Sequence, residues 1–227
     1  MRNQGRFSAI IASLLMIFWT FSHATSPPNS SKNNWYKVEL LILEHKGNID
    51  EQGQHVVPLT LPKQAIHLND HLTTTNPHWS LLPASESFKQ ASLRIAKHPS
   101  RYHILFRSAW LQDNFQKQPL TIETGDNLTP IAVAKKEVIV LKGPLWQLEG
   151  SLHIKKQRTF NTHLNFAFRM LSAQDQLVEY DINEYRSLKL NKIHYFDNPA
   201  FGVLMRISKA ESPKEKAITE PGFEHST

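Results

Sequence analysis

The sequence predicts an α+β fold, with a mostly antiparallel β-sheet and one or two packed helices in a single domain. Two observations support this prediction: the second half of the chain alternates apolar and polar residues, and one well-capped helix precedes it. A length of 227 residues, 40% of them apolar and 20% charged, suits one domain with a sizeable core. The chain has no cysteine, which excludes a disulfide framework, a thiolate metal site and a thiol nucleophile.

The first 24 residues have the pattern of a secretory signal peptide. Arg2 and Arg6 form a positive start, residues 7–21 are apolar apart from two serines and a threonine, and Ala24 ends a small-residue cleavage site. This apolar run is shorter than the roughly 20 residues that a membrane-spanning helix needs. We therefore expect cleavage, a periplasmic location and no stable membrane anchor; the alternative is an uncleaved N-terminal anchor.

The other domain boundaries are predicted from the amino-acid composition of each segment. Residues 25–34 form a polar linker rich in Pro, Ser and Asn, and residues 208–227 form a predicted disordered tail. The folded unit is therefore predicted to span residues 35–207. Cleavage after the signal peptide removes two arginines and lowers the formal net charge from +6 to +4. Such a mild excess favours anionic partners.

The first half of this unit alternates between clear elements and long loops. A nearly continuous apolar run predicts a central strand over Trp35–Leu43. A helix is predicted for Ser85–Lys97, because its first residue is a capping serine and its apolar residues form one stripe. Tyr102–Leu111 is predicted to be a strand, and Glu44–Ser80 and Gln112–Pro130 are predicted to be loops.

Period-two alternation makes the second half more regular. Residues 146–155 and 160–170 alternate strictly, and the turn residues Lys156-Gln157-Arg158 follow the first run, which predicts a half-buried antiparallel hairpin. A further strand begins at residues 178–182, and two more are predicted at residues 192–196 and 201–207.

No catalytic motif is present. The chain lacks the G-x-S-x-G and S-x-x-K motifs of serine acyl transfer and any glycine-rich phosphate loop. His67 and His71 have the i, i+4 spacing of a zinc-binding helix, with His78 as a possible third ligand, but Leu68 stands where the water-activating glutamate belongs. We therefore expect no metal and no enzyme, although a glycosidase with paired carboxylates stays open as a hypothesis, since any chain holds Asp and Glu.

One face of the predicted hairpin is a candidate binding surface. The side chains expected to point away from its apolar face are His153, Lys155, His163, Asn165 and Arg169. Their donors suit hydroxyls, amides and carboxylates, and the alternative interpretation is a merely solvated sheet face. Trp110 and Trp146 would stack on sugar rings if exposed, but apolar strand positions favour a place in the core.

Three sequence blocks form a recognisable set. Residues 102–112 combine a Tyr, aliphatics, a small residue and Trp-x-Gln; residues 148–164 form a Gly-x-hydrophobic hairpin with a His on the returning strand. The third block is Arg186-Ser187 followed by residues 192–204, with the sequence KIHYFDNPAFGVL. Together with the opening strand after a signal peptide, these blocks resemble the CsiV family of bacterial peptidoglycan-binding proteins. The resemblance covers most of residues 35–207.

Two departures accompany this resemblance. Asn198 stands where the pattern has a histidine, and the expected Glu-x-Trp element after the first strand has no counterpart. In the third block, Arg186 and His194 are the residues expected to reach a ligand.

The resemblance implies a non-enzymatic periplasmic protein that binds peptidoglycan and supports the synthases that build the cell wall. We expect no cofactor and no nucleic-acid partner. A peptidoglycan synthase or its outer-membrane activator is a further expected partner. Two alternatives are an interaction module that regulates a penicillin-binding-protein synthase complex without binding the wall, and a wall hydrolase of unrecognised type.

Overall fold

The computed structural model contains two β-sheets and two short helices. It describes residues 34–47, 49, 53–68, 79–113, 115, 118–135 and 143–212. The strands are β1 (Trp35–His45), β2 (Ile66–His67), β3 (Trp79–Leu81), β4 (Tyr102–Gln112), β5 (Leu120–Asn127), β6 (Trp146–Lys156), β7 (Phe160–Leu171), β8 (Leu177–Leu188), β9 (Ile193–Asp197) and β10 (Phe201–Ala210). The helices are α1 (Glu86–Ala96) and α2 (Thr129–Ala134).

Each sheet has five strands. The first sheet has the order β3-β4-β1-β10-β9 and is antiparallel throughout. The second has the order β2-β5-β6-β7-β8, in which only the short β2–β5 pair is parallel. The predicted hairpin is β6–β7, and it lies inside the second sheet, flanked by β5 and β8. The prediction of a mostly antiparallel α+β domain is confirmed.

The main core lies between the inner faces of the two sheets. Alternate residues of β1, namely Val38, Leu40 and Ile42, share one buried cluster with Leu152 of β6 and Phe166 of β7. Since successive side chains of a strand point to opposite faces, each sheet contributes one apolar face to this layer. The molecule is therefore a two-layer sandwich.

Helix α1 covers the outer face of the first sheet. Phe88 forms a second buried cluster with Leu41 and Leu43, the outward residues of β1. This cover explains why residues 40–43 of β1 are apolar on both faces. Strand β1 is the central strand of its sheet, as its sequence predicted. Ser85 begins the helix as predicted: its side chain accepts a hydrogen bond from the backbone N–H of Phe88 at 3.4 Å, and its own N–H donates to the buried Glu39.

The predicted loops contain more structure than expected. Residues 112–130, predicted as loop, hold β5 and the start of α2, so that part of the prediction was wrong. Only Leu120 and Ile122 of β5 alternate inward before a polar stretch follows, which left too short a pattern to identify. In the described part of the other predicted loop, Glu44–Ser80, the structure contains the end of β1, the two-residue strand β2 and the start of β3. Strand β10 extends three residues past the predicted boundary and ends at Ala210.

The predicted signal peptide, nearly all of the linker and the end of the predicted tail lie outside the described residues. In the part of the chain that the structure describes, neither helix has the length and apolarity needed to cross a membrane.

Candidate functional site

The outer face of the second sheet is almost entirely polar, and we call it the polar face. Its residues are Thr121 and Glu123 of β5; Glu149, Ser151, His153 and Lys155 of β6; Asn161, His163, Asn165, Ala167 and Arg169 of β7; and Glu179, Asp181, Asn183, Tyr185 and Ser187 of β8. Their neighbours along each strand, such as Leu152, Leu164 and Ile182, lie in the core, so these side chains point outward.

An exposed aromatic platform lies on this face. The rings of His163 and Tyr185, which are cross-strand partners, stack with centroids 3.8 Å apart and planes 3° from parallel. Tyr185 is 78% exposed, which is unusual for a large aromatic side chain. The Nε2–H of His163 donates to Oδ1 of Asn183 at 2.9 Å, which fixes the orientation of the imidazole under the tyrosine.

His153 lies beside this platform, opposite His163 in the β6–β7 register. Its Nε2 atom is buried and has no hydrogen-bond partner among the described residues. Burial lowers the pKa of His153, and the nearby positive charge of Lys155 and the His163 ring lower it further. The neutral form of the imidazole is therefore favoured at pH 7.

Arg169 lies on the polar face but is not free to bind a ligand, contrary to the sequence prediction. Its side chain is fully buried and fully engaged: Nε donates to Glu179 at 2.7 Å, and an Nη donates to Glu149 at 2.8 Å. It also donates to the backbone carbonyls of Trp146 and Val57. Burial raises the pKa of Glu179, an effect that the adjacent guanidinium opposes. Arg169 thus holds the covering segment around Val57 onto one end of the polar face.

The polar face is not cationic as a whole, which differs from the sequence prediction of a partly cationic surface. Arg169 is buried in ion pairs with Glu149 and Glu179. Among the other residues named for this face, Lys155 is basic, whereas Glu123 and Asp181 are acidic. An open face with amides, imidazoles and hydroxyls suits uncharged ligand groups better than carboxylates.

Arg186 and His194 are predicted site residues that the structure places elsewhere, at the side of the sandwich where β8 approaches β9. Arg186 pairs with Glu184, donates to the carbonyl oxygen of Tyr195 at 2.7 Å and lies 4.2 Å from the ring centroid of Phe196. His194 Nε2 accepts from the backbone N–H of Lys189 at 3.0 Å. Both side chains therefore hold the two sheets and the β8–β9 turn together.

The four other predicted residues, His153, Lys155, His163 and Asn165, do lie together on the polar face. Sequence reasoning missed Asn183 and Tyr185 because the strand prediction began at residue 178 and was not extended past residue 182. The alternation continues to residue 188 and would have placed both of them beside the hairpin. Trp110 is fully buried and Trp146 half-buried, as their strand positions favoured.

The described part of the chain contains no group of three His, Asp or Glu side chains that could hold a metal ion. His67 instead lies 3.6 Å from Glu123, measured from Nδ1 to Oε2. His71 and His78 lie outside the described residues.

Comparison with known proteins gives one result that covers nearly the whole chain. No curated protein and no solved structure matched it. The family model described as "Peptidoglycan-binding protein, CsiV" matches residues 10–210 of the 227. The matched region includes every strand and helix of the sandwich and the three sequence blocks that resembled the family. The chain therefore belongs to the CsiV family of peptidoglycan-binding proteins.

Proposed function

We propose that the protein is a non-enzymatic periplasmic accessory that binds the glycan strands of peptidoglycan through the polar face and supports cell-wall synthesis and cell shape. The observation that carries the proposal is the exposed Tyr185–His163 stack on the polar face, between β7 and the edge strand β8. Membership in a peptidoglycan-binding family and the signal-peptide pattern support the same function.

The chemistry of the face supports a glycan ligand. A flat, exposed ring can cover the apolar side of a sugar, while the flanking amides accept from and donate to its hydroxyl and acetamido groups. Asn165 and Asn183 are cross-strand partners next to the stack, and both belong to the polar face. The side chain of His153 adds a neutral imidazole on the other side.

The direct test is retention of the purified mature protein by purified sacculi. We expect retention at low salt and at about 0.5 M NaCl, because a face with few free cations gains little from the electrostatic attraction that salt screens. Tyr185→Ala should weaken retention by about tenfold, which corresponds to on the order of 1 kcal/mol of lost aromatic contact. Absence of retention for the wild type at low salt would refute the proposal.

Two variants control for indirect effects. Tyr185→Phe keeps the ring and should retain binding within a factor of about two to three. Leu93→Ala truncates another exposed apolar side chain, on α1, and should bind like the wild type. Arg169 is unsuitable for this experiment because its removal would disturb folding.

The non-enzymatic part of the proposal has its own assay. Incubation of sacculi with the pure protein should release no soluble muropeptides, and any time-dependent release that survives repurification would instead identify a hydrolase.

We also propose that the protein acts near a peptidoglycan synthase or its outer-membrane activator. Crosslinking in cells should capture such a protein in the wild type and in Tyr185→Ala alike, if the partner binds away from the polar face. Capture of a synthase without any retention on sacculi would favour the alternative of a pure interaction module.

A further inference from the structure

A concave site of about 470 Å³ lies on the outer face of the first sheet, on the opposite side of the sandwich from the polar face. We call it the end pocket, because it forms where β1 ends and β4 begins, next to β9. Its lining is mostly polar, and the side chains that matter are His45, Lys46, Arg101, Tyr102, Tyr195 and Asp197. The proposed function does not use it.

A hydrogen-bonded group forms one wall of the end pocket. Nε2 of His45 lies 2.8 Å from the Tyr195 hydroxyl, and its Nδ1 lies 3.2 Å from the carbonyl oxygen of Pro199. The same hydroxyl interacts with Asp197, and burial together with this carboxylate raises the pKa of Tyr195. The phenol is therefore protonated at neutral pH and serves as a hydrogen-bonding group.

The backbone explains why Tyr195 reaches this position. Its ring lies over Gly202 of the neighbouring strand β10, where a Cβ would come within 2.5 Å of Cε2 of Tyr195. Only glycine leaves room for the ring there. Gly202, which belongs to the third sequence block, thus shapes the end pocket.

Two basic residues, Lys46 and Arg101, also line the end pocket. The backbone N–H of Lys46 donates to the carbonyl oxygen of Arg101 at 2.6 Å, so the residue after β1 and the residue before β4 are fixed side by side. Both residues are exposed, and neither forms an ion pair with any residue that the structure describes. Asp197, the acidic residue among the lining residues that the structure describes, interacts with Tyr195.

The charges that line the end pocket favour one class of ligand. Among the described lining residues, Lys46 and Arg101 carry positive charge and Asp197 carries negative charge, and this excess of one cation matches a monoanion better than a phosphate dianion. An arginine and a lysine are the usual partners of a carboxylate, and the ring of Tyr102 offers an apolar surface for the adjoining side chain. The volume is that of a small-ligand site.

We propose that the end pocket is a second binding site, which takes the free carboxylate at the end of a short peptide. Lys46 and Arg101 bind the carboxylate, and the His45–Tyr195 pair contacts the neighbouring peptide group. The inference rests on the proposed function only for the source of that peptide, which would be a stem peptide of the wall. The polar face and the end pocket would then bind the two chemical parts of one polymer.

Calorimetric titration with N-acetyl-alanyl-alanine, in its L,L and D,D forms, tests this site without any glycan. We expect at least one form to bind the full mature protein, and the matching C-terminal amide to bind about tenfold more weakly or not at all. Lys46→Ala/Arg101→Ala should abolish the difference between acid and amide. Equal binding of acid and amide, unchanged affinity in the double variant, or tighter binding of inorganic phosphate than of either acid would overturn the proposal.

A charge-matched control is available in the β8–β9 turn. Lys189→Ala/Lys192→Ala also removes two positive charges, from exposed positions outside the end pocket, and should leave peptide binding unchanged. Circular dichroism of both double variants shows whether the fold is intact, and neither variant removes a buried side chain.

The proposals for the polar face and for the end pocket can be refuted independently of each other. If the dipeptide does not bind while sacculi retain the wild type and release Tyr185→Ala, the end pocket proposal falls and the polar face stands. If the dipeptide binds and sacculi do not retain the protein at low salt, the glycan proposal falls and the end pocket stands.

Discussion

Arg169 illustrates how a residue on the expected face can have an unexpected role. Alternation along β7 correctly placed it with His163 and Asn165, but alternation does not show what covers a strand. Two acidic cross-strand neighbours and the segment around Val57 enclose its guanidinium. Burying one cation between two carboxylates is tolerable only because all of its partners are present.

Removal of that guanidinium should therefore destabilise the fold. Arg169→Met leaves Glu149 and Glu179 buried without a cation, and we expect a loss of about 3–5 kcal/mol in the free energy of unfolding. Denaturant titration followed by circular dichroism measures it. Arg107→Met, at an exposed position of β4, should change stability by less than about 0.5 kcal/mol. A loss below about 1 kcal/mol in Arg169→Met would contradict this account.

His153 predicts a pH dependence of stability. Its pKa in the folded protein is below the 6.5 of an ordinary histidine, mainly because of burial. As pH falls below about 6.5, the unfolded chain takes up this proton more readily than the folded one, so stability decreases. The decrease continues until the pH reaches the folded pKa.

The variant His153→Gln removes this contribution. Between about pH 7.5 and pH 5.5 it should lose less unfolding free energy than the wild type, measured by denaturant titration at both pH values. The exposed His98→Gln serves as the comparison, and we expect it to follow the wild type. If His153→Gln and the wild type lose equal free energy, His153 is not the group responsible.

Among the elements, the β6–β7 hairpin depends on one glycine. Gly150 faces the core, where a Cβ would lie 2.5 Å from the carbonyl oxygen of Asn165 and 2.7 Å from Cα of Phe166. Both are backbone atoms of β7, so β7 would have to shift. The ring of Phe166 occupies the space that the missing side chain leaves.

Gly150→Ala should therefore destabilise the protein by about 1–3 kcal/mol through overpacking. The matched control is Gly143→Ala, because a Cβ at Gly143 meets nothing within 4 Å. Thermal unfolding of the two variants provides the comparison, and equal melting temperatures would show that the hairpin accommodates the methyl group.

The elements also show what sequence patterns can predict. β6, β7 and α1 were predictable because each has a long, regular period and, for the helix, a capping serine at residue 85. β5 was missed because it has only two inward apolar residues before its polar end. The presence of two sheets instead of one was not predictable, because alternation shows that one face of a strand is buried but does not identify the element that covers that face.

The candidate site was likewise predictable only where it depends on local sequence patterns. Local periodicity brought His153, Lys155, His163 and Asn165 to one face, but the Tyr185 platform depends on the pairing of β7 with β8. The end pocket depends on contacts across more than 100 residues, such as His45 with Tyr195. No local pattern in the sequence reports such contacts.

For the molecule as a whole, the shared core predicts cooperative unfolding. The two sheets bury their inner faces against each other, so neither keeps its apolar face covered if the other unfolds. Trp35, Trp79 and Trp110 lie in the first sheet and Trp146 lies in the second, so fluorescence of a Trp146→Phe variant reports the packing of the first sheet, while far-ultraviolet circular dichroism of the same variant reports both sheets. We expect coincident transitions by the two methods in denaturant. Separated midpoints would show that the sheets unfold independently.

The adjacency of β1 and β10 has a practical consequence for experiments on the protein. Trp35 pairs with Ala210, so the polypeptide enters and leaves the sandwich at the same point, about 30 Å along β1 from the end at His45. A fluorophore, affinity handle or sensor-chip linker attached at Trp35 or Ala210 would therefore lie at the end of β1 remote from His45. Protein immobilised there should keep the His45 end accessible to solutes, and a short linker that joins Trp35 to Ala210 should permit circular permutation.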